Sequence, residues 1–592
     1  MSLASGRQAT KLTGKGDVMA GLTPMLDAQL RRAVELHQAR RLAEAEKAYR
    51  ELLAWCPDLA EVHVNCALAQ LGLGKYREAE SSLRLALDKD PGLAKAHSRL
   101  GDVLCFQNRY RDAVQSYERA LALKPGIPEV LNNMGNALKL LGEVERAASC
   151  YRQAVKLRPG FGQAYNNLGL CLLEQNRTAD AQSAFHQAVA AAPDYAEAYN
   201  NLGNALRREN SGQEAKQAFE TAIRLSPAYA DAHLNLSAYL FDARQFAEAE
   251  ASARRAVQLE PSLPDTHNAL GNALRERGRL AESESEYREA LRLAPDYAEG
   301  YKHLAMALEE QGRLDEAFSL FGHYAQLVRD AEPAPRSEPP HKHRHDEEQR
   351  AWLGENAGEF HLGDDSRIPG PAVNPANRIG EISALWQSTV PQIVVIDELL
   401  TKEALGKLRR FCLDSTVWRQ VYDGGYLGAF PEHGFAPALL AQIAEELRAT
   451  YPAIIEDHPL LHFWAFKYDS SLRGIRKHAD FAAVNVNFWV TPDEANLDPE
   501  HGGLVVWDKA APQDWDFARY NAAEDEICAF LKAQESKPVT IPYRANRAVI
   551  FDSDLFHETD VIRFKPGYEN RRINVTLLFG RRHAHTGNGH RG

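Results

Sequence analysis

The chain has 592 residues and a formal charge of −12, too long for one hydrophobic core and without the positive excess that would draw nucleic acid or an anionic membrane. Its seven cysteines form no Cys-x-x-Cys pair, and five of them sit in helical segments, so they read as reduced core thiols. No apolar run approaches the roughly 18 residues needed to span a bilayer, and residues 1–24 lack the hydrophobic stretch of a signal peptide. The expectation is a cytoplasmic protein with a disordered N-terminus over 1–24.

Pro57, Pro91, Pro125, Pro159, Pro193, Pro227, Pro261 and Pro295 recur every 34 residues without slippage. Phased on them, nine units run over 25–330, each with two short amphipathic helices. In the unit from Tyr195 to Ala228, Leu202, Gly203 and Ala205 are small or apolar on the first helix. Ala215, Ala218, Phe219 and Ala222 repeat at three- and four-residue spacing on the second, and Pro227 closes it. Gly203 and Ala215 are expected to let two backbones approach closely. The pattern resembles the tetratricopeptide repeat across all nine units. That resemblance implies an all-α superhelix whose first helices line a concave face that takes a polypeptide substrate or a partner protein.

Asparagine holds the seventh place of its unit at Asn65, Asn133, Asn167, Asn201 and Asn235, often beside a second one (Asn132, Asn166, Asn200). A mediocre helix former recurring at one phase needs a reason. Two stay open. The amides bond between adjacent repeats, or they form a ladder holding the backbone of an extended polypeptide, similar to the asparagine-lined superhelix of the O-GlcNAc transferase family.

Over 331–390 the periodicity is lost in EPAPRSEPPHKHRHDEEQ and IPGPAVNPANR, which reads as a Pro/His-rich linker. The HKHRH run (His341, His343, His345) is expected to be solvated rather than metal-binding, and 583–592 to be a disordered tail. A chain starting near Ile382 is then expected to fold alone.

Residues 391–582 turn toward strands. QIVVID, LHFWAFKYD, AAVNVNFWVT, GLVVWD, KPVTIPY, NRAVIFDSD and INVTLLFG read as strands, with helices at TKEALGKLRRFCLD and FAPALLAQIAEELRATY. Many short strands in succession predict a sandwich or barrel.

His478 and Asp480 lie two residues apart before a strand and share a face, so an imidazole and a carboxylate can meet one metal. With 21 histidines, about one His-x-Asp is expected by chance, so context carries the weight. That context is HGGLVVWD, then NRAVIFDSDLFHETDVI with His557, then NRRINVTLLFG with Arg571 and Arg572. The order resembles the iron(II)- and 2-oxoglutarate-dependent dioxygenases, in particular their prolyl-hydroxylase-like branch. The resemblance implies a double-stranded β-helix (jelly-roll or cupin-like) with flanking helices, with His478, Asp480 and His557 as ligands of iron(II), and 2-oxoglutarate and O2 as co-substrates. Two histidines and a carboxylate leave three octahedral positions free, as non-haem iron oxygenation requires. The carboxylate favours hydroxylation over halogenation, because in related halogenases a small residue stands in its place.

The distal carboxylate of 2-oxoglutarate needs a fixed cation. Strand alternation puts Arg572 on one face with Asn574 and Thr576, and Arg571 on the other with Ile573, Val575 and Leu577. A polar lining favours Arg572, while an alignment on Phe579 would select Arg571. Tyr468 resembles the tyrosine that prolyl hydroxylases use against the co-substrate. The function implied is hydroxylation of a polypeptide recruited by the repeats. Two alternatives are an oxygenase of small molecules whose repeats serve assembly, and a non-catalytic scaffold. No aromatic-interleaved basic module points to nucleic acid.

Overall fold

The computed structural model describes residues 24–209, 211–331, 338–354, 360–455, 458–469 and 474–581. The two ends read as disordered lie outside these residues, except that Pro24 already opens the first helix. The chain divides into two compact units, Met1–Ala243 and Arg244–Gly592. This division falls inside the periodic region rather than at the proline-rich stretch. No helix among the described residues is long and apolar enough to cross a membrane.

Every regular element among the described residues of the first unit is a helix. In the repeat chosen above, helices Ala196–Arg208 and Gly212–Leu225 pair, and the second ends two residues before Pro227. The residue preceding a proline is pushed out of the helical region, which sets that end. The glycine has a different use from the expected one. A Cβ on Gly203 would meet the Phe219 ring at 2.6 Å, and Gly101, Gly135 and Gly169 stand in the same relation to Tyr117, Tyr151 and Phe185. Each glycine makes room for a buried ring from the second helix, so the close approach is ring to backbone.

The second unit begins with helices Phe246–Leu259, Pro264–Glu276, Leu280–Leu293, Ala298–Glu310 and Leu314–Ala331. Ten strands follow: β1 (Ile393–Ile396), β2 (Gln420–Tyr422), β3 (Tyr426–Ala429), β4 (Leu460–Tyr468), β5 (Ala482–Trp489), β6 (Leu504–Ala510), β7 (Pro538–Ile541), β8 (Ala548–Asp552), β9 (Leu555–Thr559) and β10 (Arg572–Arg581). They form a seven-stranded sheet in the order β1-β8-β5-β10-β4-β3-β2 and a three-stranded sheet β7-β6-β9, antiparallel throughout.

Alternation along β4 and β10 divides the large sheet into two faces. The outer face packs on helices, and Phe318 and Phe321 of Leu314–Ala331 lie 4.5 and 6.4 Å from the Phe463 ring. The inner face joins the small sheet in a second core that includes Phe466, Tyr468, Trp489, Val506 and Phe551.

The 331–390 stretch is not the solvated linker expected. Residues Pro340–Leu353 form a helix in which His341, His345 and Gln349 are buried, while His343 is exposed. Gln349 donates to Ser415 O and to the Tyr568 hydroxyl, both at 3.0 Å. The buried stripe has ordinary helical spacing, but it is built from polar side chains, so hydrophobic periodicity is blind to it. The thiols need correcting too. All seven are free, yet Cys528 is exposed and Cys56 and Cys105 are only partly buried.

Candidate metal centre

His478 and Asp480 stand in the segment that leads into β5, and His557 stands in β9. An isolated antiparallel bridge joins the two histidines: His478 N donates to His557 O at 3.0 Å and His557 N to His478 O at 2.8 Å. Their ring centroids are 4.2 Å apart. Each Nδ1 lies against a backbone carbonyl, Arg476 O at 2.8 Å and Leu555 O at 3.1 Å. This fixes the tautomer and leaves Nε2 as the donor toward a cation. The two Nε2 atoms approach Asp480, His478 at 3.8 Å from Oδ1 and His557 at 3.4 Å from Oδ2. The ligand atoms of the three residues all lie within 4.8 Å of one another.

The electrostatics suit a cation. Burial, and then the neighbouring His557, push the His478 imidazole down to about 4, so it is neutral at pH 7 with a free lone pair. Burial alone would raise the Asp480 carboxyl, but its polar neighbours His557, His478 and Asn485 outweigh it and hold it below its ordinary value.

The cluster opens into a cavity of about 470 Å³ between the sheets. Arg572, Asn574 and Thr576 line it, and so does Tyr468. Arg572 is buried, with Nε donating to Gly502 O at 2.7 Å, one Nη to Gly503 O at 3.0 Å and the other to Asn574 Oδ1 at 3.3 Å. Its guanidinium lies 4.5 Å from the centre of the Tyr468 ring, whose hydroxyl is 3.3 Å from Thr559 Oγ1. Burial lowers the pKa of Arg572, and among the described residues no carboxylate lies within ion-pair distance of it. Arg571 turns away from the cavity, donating to Glu348 at 2.8 Å and lying 3.8 Å from Asp469.

A buried cation without a counter-ion is costly and calls for an anion. Two acceptors on the same cavity, Asn485 Oδ1 and Asn487 Oδ1, are buried without a hydrogen-bond partner among the described residues. Two imidazoles and one carboxylate are a donor set that fits a divalent transition metal such as iron(II), and the Arg572 guanidinium stands on the same cavity.

Several lining residues escaped the sequence reading. Asn485 and Asn487 share the inner face of β5, which the alternating NVN should have indicated. The carbonyls of Gly502 and Gly503 clamp Arg572, and a Cβ on Gly503 would strike the Ile541 carbonyl. Tyr422, Tyr426, Phe430, Trp464 and Phe466 build an aromatic wall, with Tyr422 stacked on Tyr426 at 4.5 Å and Phe466 edge-on to Tyr426 at 5.2 Å.

Asn167 donates to Oδ1 of both Asn132 and Asn136 at 3.1 Å, Asn201 to Asn166 at 2.9 Å, Asn235 to Asn200 at 3.0 Å and Asn133 to Asp102 at 3.0 Å. Their amide nitrogens bond between consecutive repeats, the first of the two uses left open above.

A family model described as TPR repeat matches residues 101–142 and 271–312. Another, described as tetratricopeptide repeat, matches 132–181, 172–215 and 202–264. The chain carries tetratricopeptide repeats. Solved structures similar to it include pilF of Pseudomonas aeruginosa, at 23% identity over 35% of this chain and 94% of that one, with a TM-score of 0.33. YrrB, described as a TPR protein with an unusual peptide-binding site, has 22% identity over 32% and 96%, with a TM-score of 0.28. A tetratricopeptide repeat protein from Parabacteroides merdae has 17% identity over 42% and 98%, with a TM-score of 0.35. No curated protein matches the sequence. Tetratricopeptide repeats support a role as a scaffold for protein–protein interaction.

Proposed function

We propose that the chain is an iron(II)- and 2-oxoglutarate-dependent dioxygenase that hydroxylates a polypeptide, with the two sheets forming a double-stranded β-helix and the repeats recruiting the substrate. One observation carries this reading: a buried guanidinium with no carboxylate within ion-pair distance among the described residues faces the same cavity as a His-Asp-His cluster. His478, Asp480 and His557 would hold the iron. When bound, it supplies activation of O2 coupled to oxidative decarboxylation of 2-oxoglutarate to succinate.

The chain's own residues do the placing. Arg572, its plane fixed by two carbonyls and Asn574, binds the distal carboxylate of 2-oxoglutarate and orients the other end toward the metal ligands. Tyr468 closes the face of that guanidinium. The aromatic wall excludes water and offers an apolar surface to the reacting group. The polypeptide assignment draws on the repeats, whose remote binding energy positions that group.

The test is anaerobic titration of the full chain with iron(II) and 2-oxoglutarate, followed by decarboxylation in air and mass spectrometry of cell proteins with and without active enzyme. Alanine at His478, Asp480 or His557 is expected to weaken iron binding sharply and abolish decarboxylation. Three single variants that all decarboxylate like the parent would overturn the assignment.

A further inference from the structure

Asn485 is fully buried on the inner face of β5, where it lines the cavity. Its backbone is rigidly placed, paired with Leu578 of β10 on one side and Phe551 of β8 on the other. From there Nδ2 donates to Oδ2 of Asp480 at 2.6 Å, while Oδ1 finds no partner among the described residues. The orientation of the amide is forced. Turned over, it would set its own oxygen against the carboxylate oxygen at that same 2.6 Å, two acceptors with no proton between them.

Half of this side chain is therefore in the wrong place for stability. A buried acceptor without a donor costs free energy that an aliphatic side chain of similar volume would not. Val484, Val486 and Phe488 fill the opposite face, and the next inward residue, Asn487, donates to Thr576 at 3.0 Å while its own Oδ1, like that of Asn485, has no partner among the described residues. What Asn485 provides in return is its bond to one specific oxygen of Asp480.

We propose that Asn485 is a positioning residue for the metal carboxylate, a role that rests on the iron centre argued above. By engaging Oδ2 it leaves Oδ1 as the oxygen offered to the cation, and it fixes the carboxylate plane against the two imidazoles. A carboxylate held to one donor oxygen takes one coordination position rather than two. The positions that co-substrate and oxygen need then stay open. Partners of this kind orient a ligand and tune its affinity without touching the metal.

The experiment measures iron(II) affinity of the full chain anaerobically, without turnover, in the parent and in Asn485→Leu, Asn485→Ala and Asn485→Ser, with the chelated proteins melted as a check on folding. Leucine and alanine are expected to weaken iron(II) binding about 10- to 100-fold. Serine keeps a donor on a shorter arm and should recover part of the loss. The visible spectrum of the cobalt(II)-loaded protein should change with leucine and return toward the parent's with serine, which a packing defect would not produce. If leucine fails to fold, alanine and serine decide. Affinity in the folded variants within about threefold of the parent, well short of what loss of such a partner costs, overturns the role of Asn485 alone. A parent that binds no iron(II) overturns the metal centre along with it.

Discussion

The two units obey different rules. In the first, a residue's partner lies about one helix or one repeat away: Gly203 faces Phe219, and Asn201 bonds Asn166. In the second, beyond the repeat helices that open it, partners come from far along the chain. Gln349 bonds Tyr568, Arg572 bonds Gly502, and Leu400 N donates to Asn546 Oδ1. Local pairs recur and can be lost one at a time. Distant pairs occur once, and each closes a long loop whose entropy must be offset, so losses there spread.

The widest break should come from cutting the chain at Ile382, where the proline-rich stretch invites it. That cut removes Phe318 and Phe321 from Phe463, the helix Pro340–Leu353 with buried His345 and Gln349, and the buried Ala372 and Val373. Each buried phenylalanine contributes about 1.5–3 kcal/mol, and a domain's whole net stability is about 5–15 kcal/mol. The fragment is expected to aggregate or melt without cooperativity, whereas a chain starting at Arg244 keeps all of these contacts and should melt cooperatively. A soluble, cooperatively melting fragment from Ile382 would restore the simple linker picture.

Legibility followed the same divide. The helix pairs were plain because one pattern repeats, and each error there, such as reading Gly203 as a backbone contact, concerned what fills the space rather than where the helices run. In the sheets, alternation alone placed Arg572 with Asn574 and Thr576 and put Arg571 on the opposite face. It said nothing of Gly502 and Gly503 as acceptors for Arg572, because they lie about 70 residues away. The β2–β3 hairpin was hidden by its own glycines, Gly424, Gly425 and Gly428, which weaken the strand signal. The β9 strand that carries His557 is five residues long and follows a turn, too short to announce itself.

Next in size is a pH effect confined to the second unit. His478 has a folded-state value of about 4 against an ordinary 6.5, so the folded state resists the proton that the unfolded state accepts. The sign follows: its contribution is complete above pH 6.5 and is lost as pH falls toward 4. By linkage the loss is about 3 kcal/mol. In chelated protein, denaturant titrations between pH 7 and 4 should show the parent losing stability faster than His478→Ala. Parallel curves would mean the imidazole is not held neutral by burial.

The paired arginines test whether adjacent residues on one strand serve separate purposes. Arg572→Ala removes a buried charged donor, and hydrogen bonds to charged groups are worth about 1.5–3 kcal/mol, so the KM for 2-oxoglutarate should rise roughly 10- to 100-fold. Arg571→Ala unpairs Glu348 and loosens the helix Pro340–Leu353, which should lower the melting temperature and leave that KM nearly unchanged. The reverse result would move the anion site to the other face of β10.

The smallest effect is the most informative about the first unit. Asn167→Ala deletes two hydrogen bonds, to Asn132 and Asn136, each contributing about 0.5–1.5 kcal/mol, and leaves the oxygen of buried Asn132 without its donor. Asn201→Ala deletes one such bond, to Asn166. If these amides tie repeat to repeat, the loss in unfolding free energy should be larger for Asn167 than for Asn201. The triple variant Asn133→Ala, Asn167→Ala, Asn201→Ala should depart from additivity, because Asn132 bonds both Asn167 and Asn133. The Oδ1 atoms on the seventh-place residues are what a polypeptide would use, so the same triple variant, kept well below its melting point, should also hydroxylate the physiological substrate with a raised KM and an unchanged kcat. Lost stability with unaltered KM would assign the asparagines to the scaffold alone. Recognition would then fall to the rest of the repeat surface.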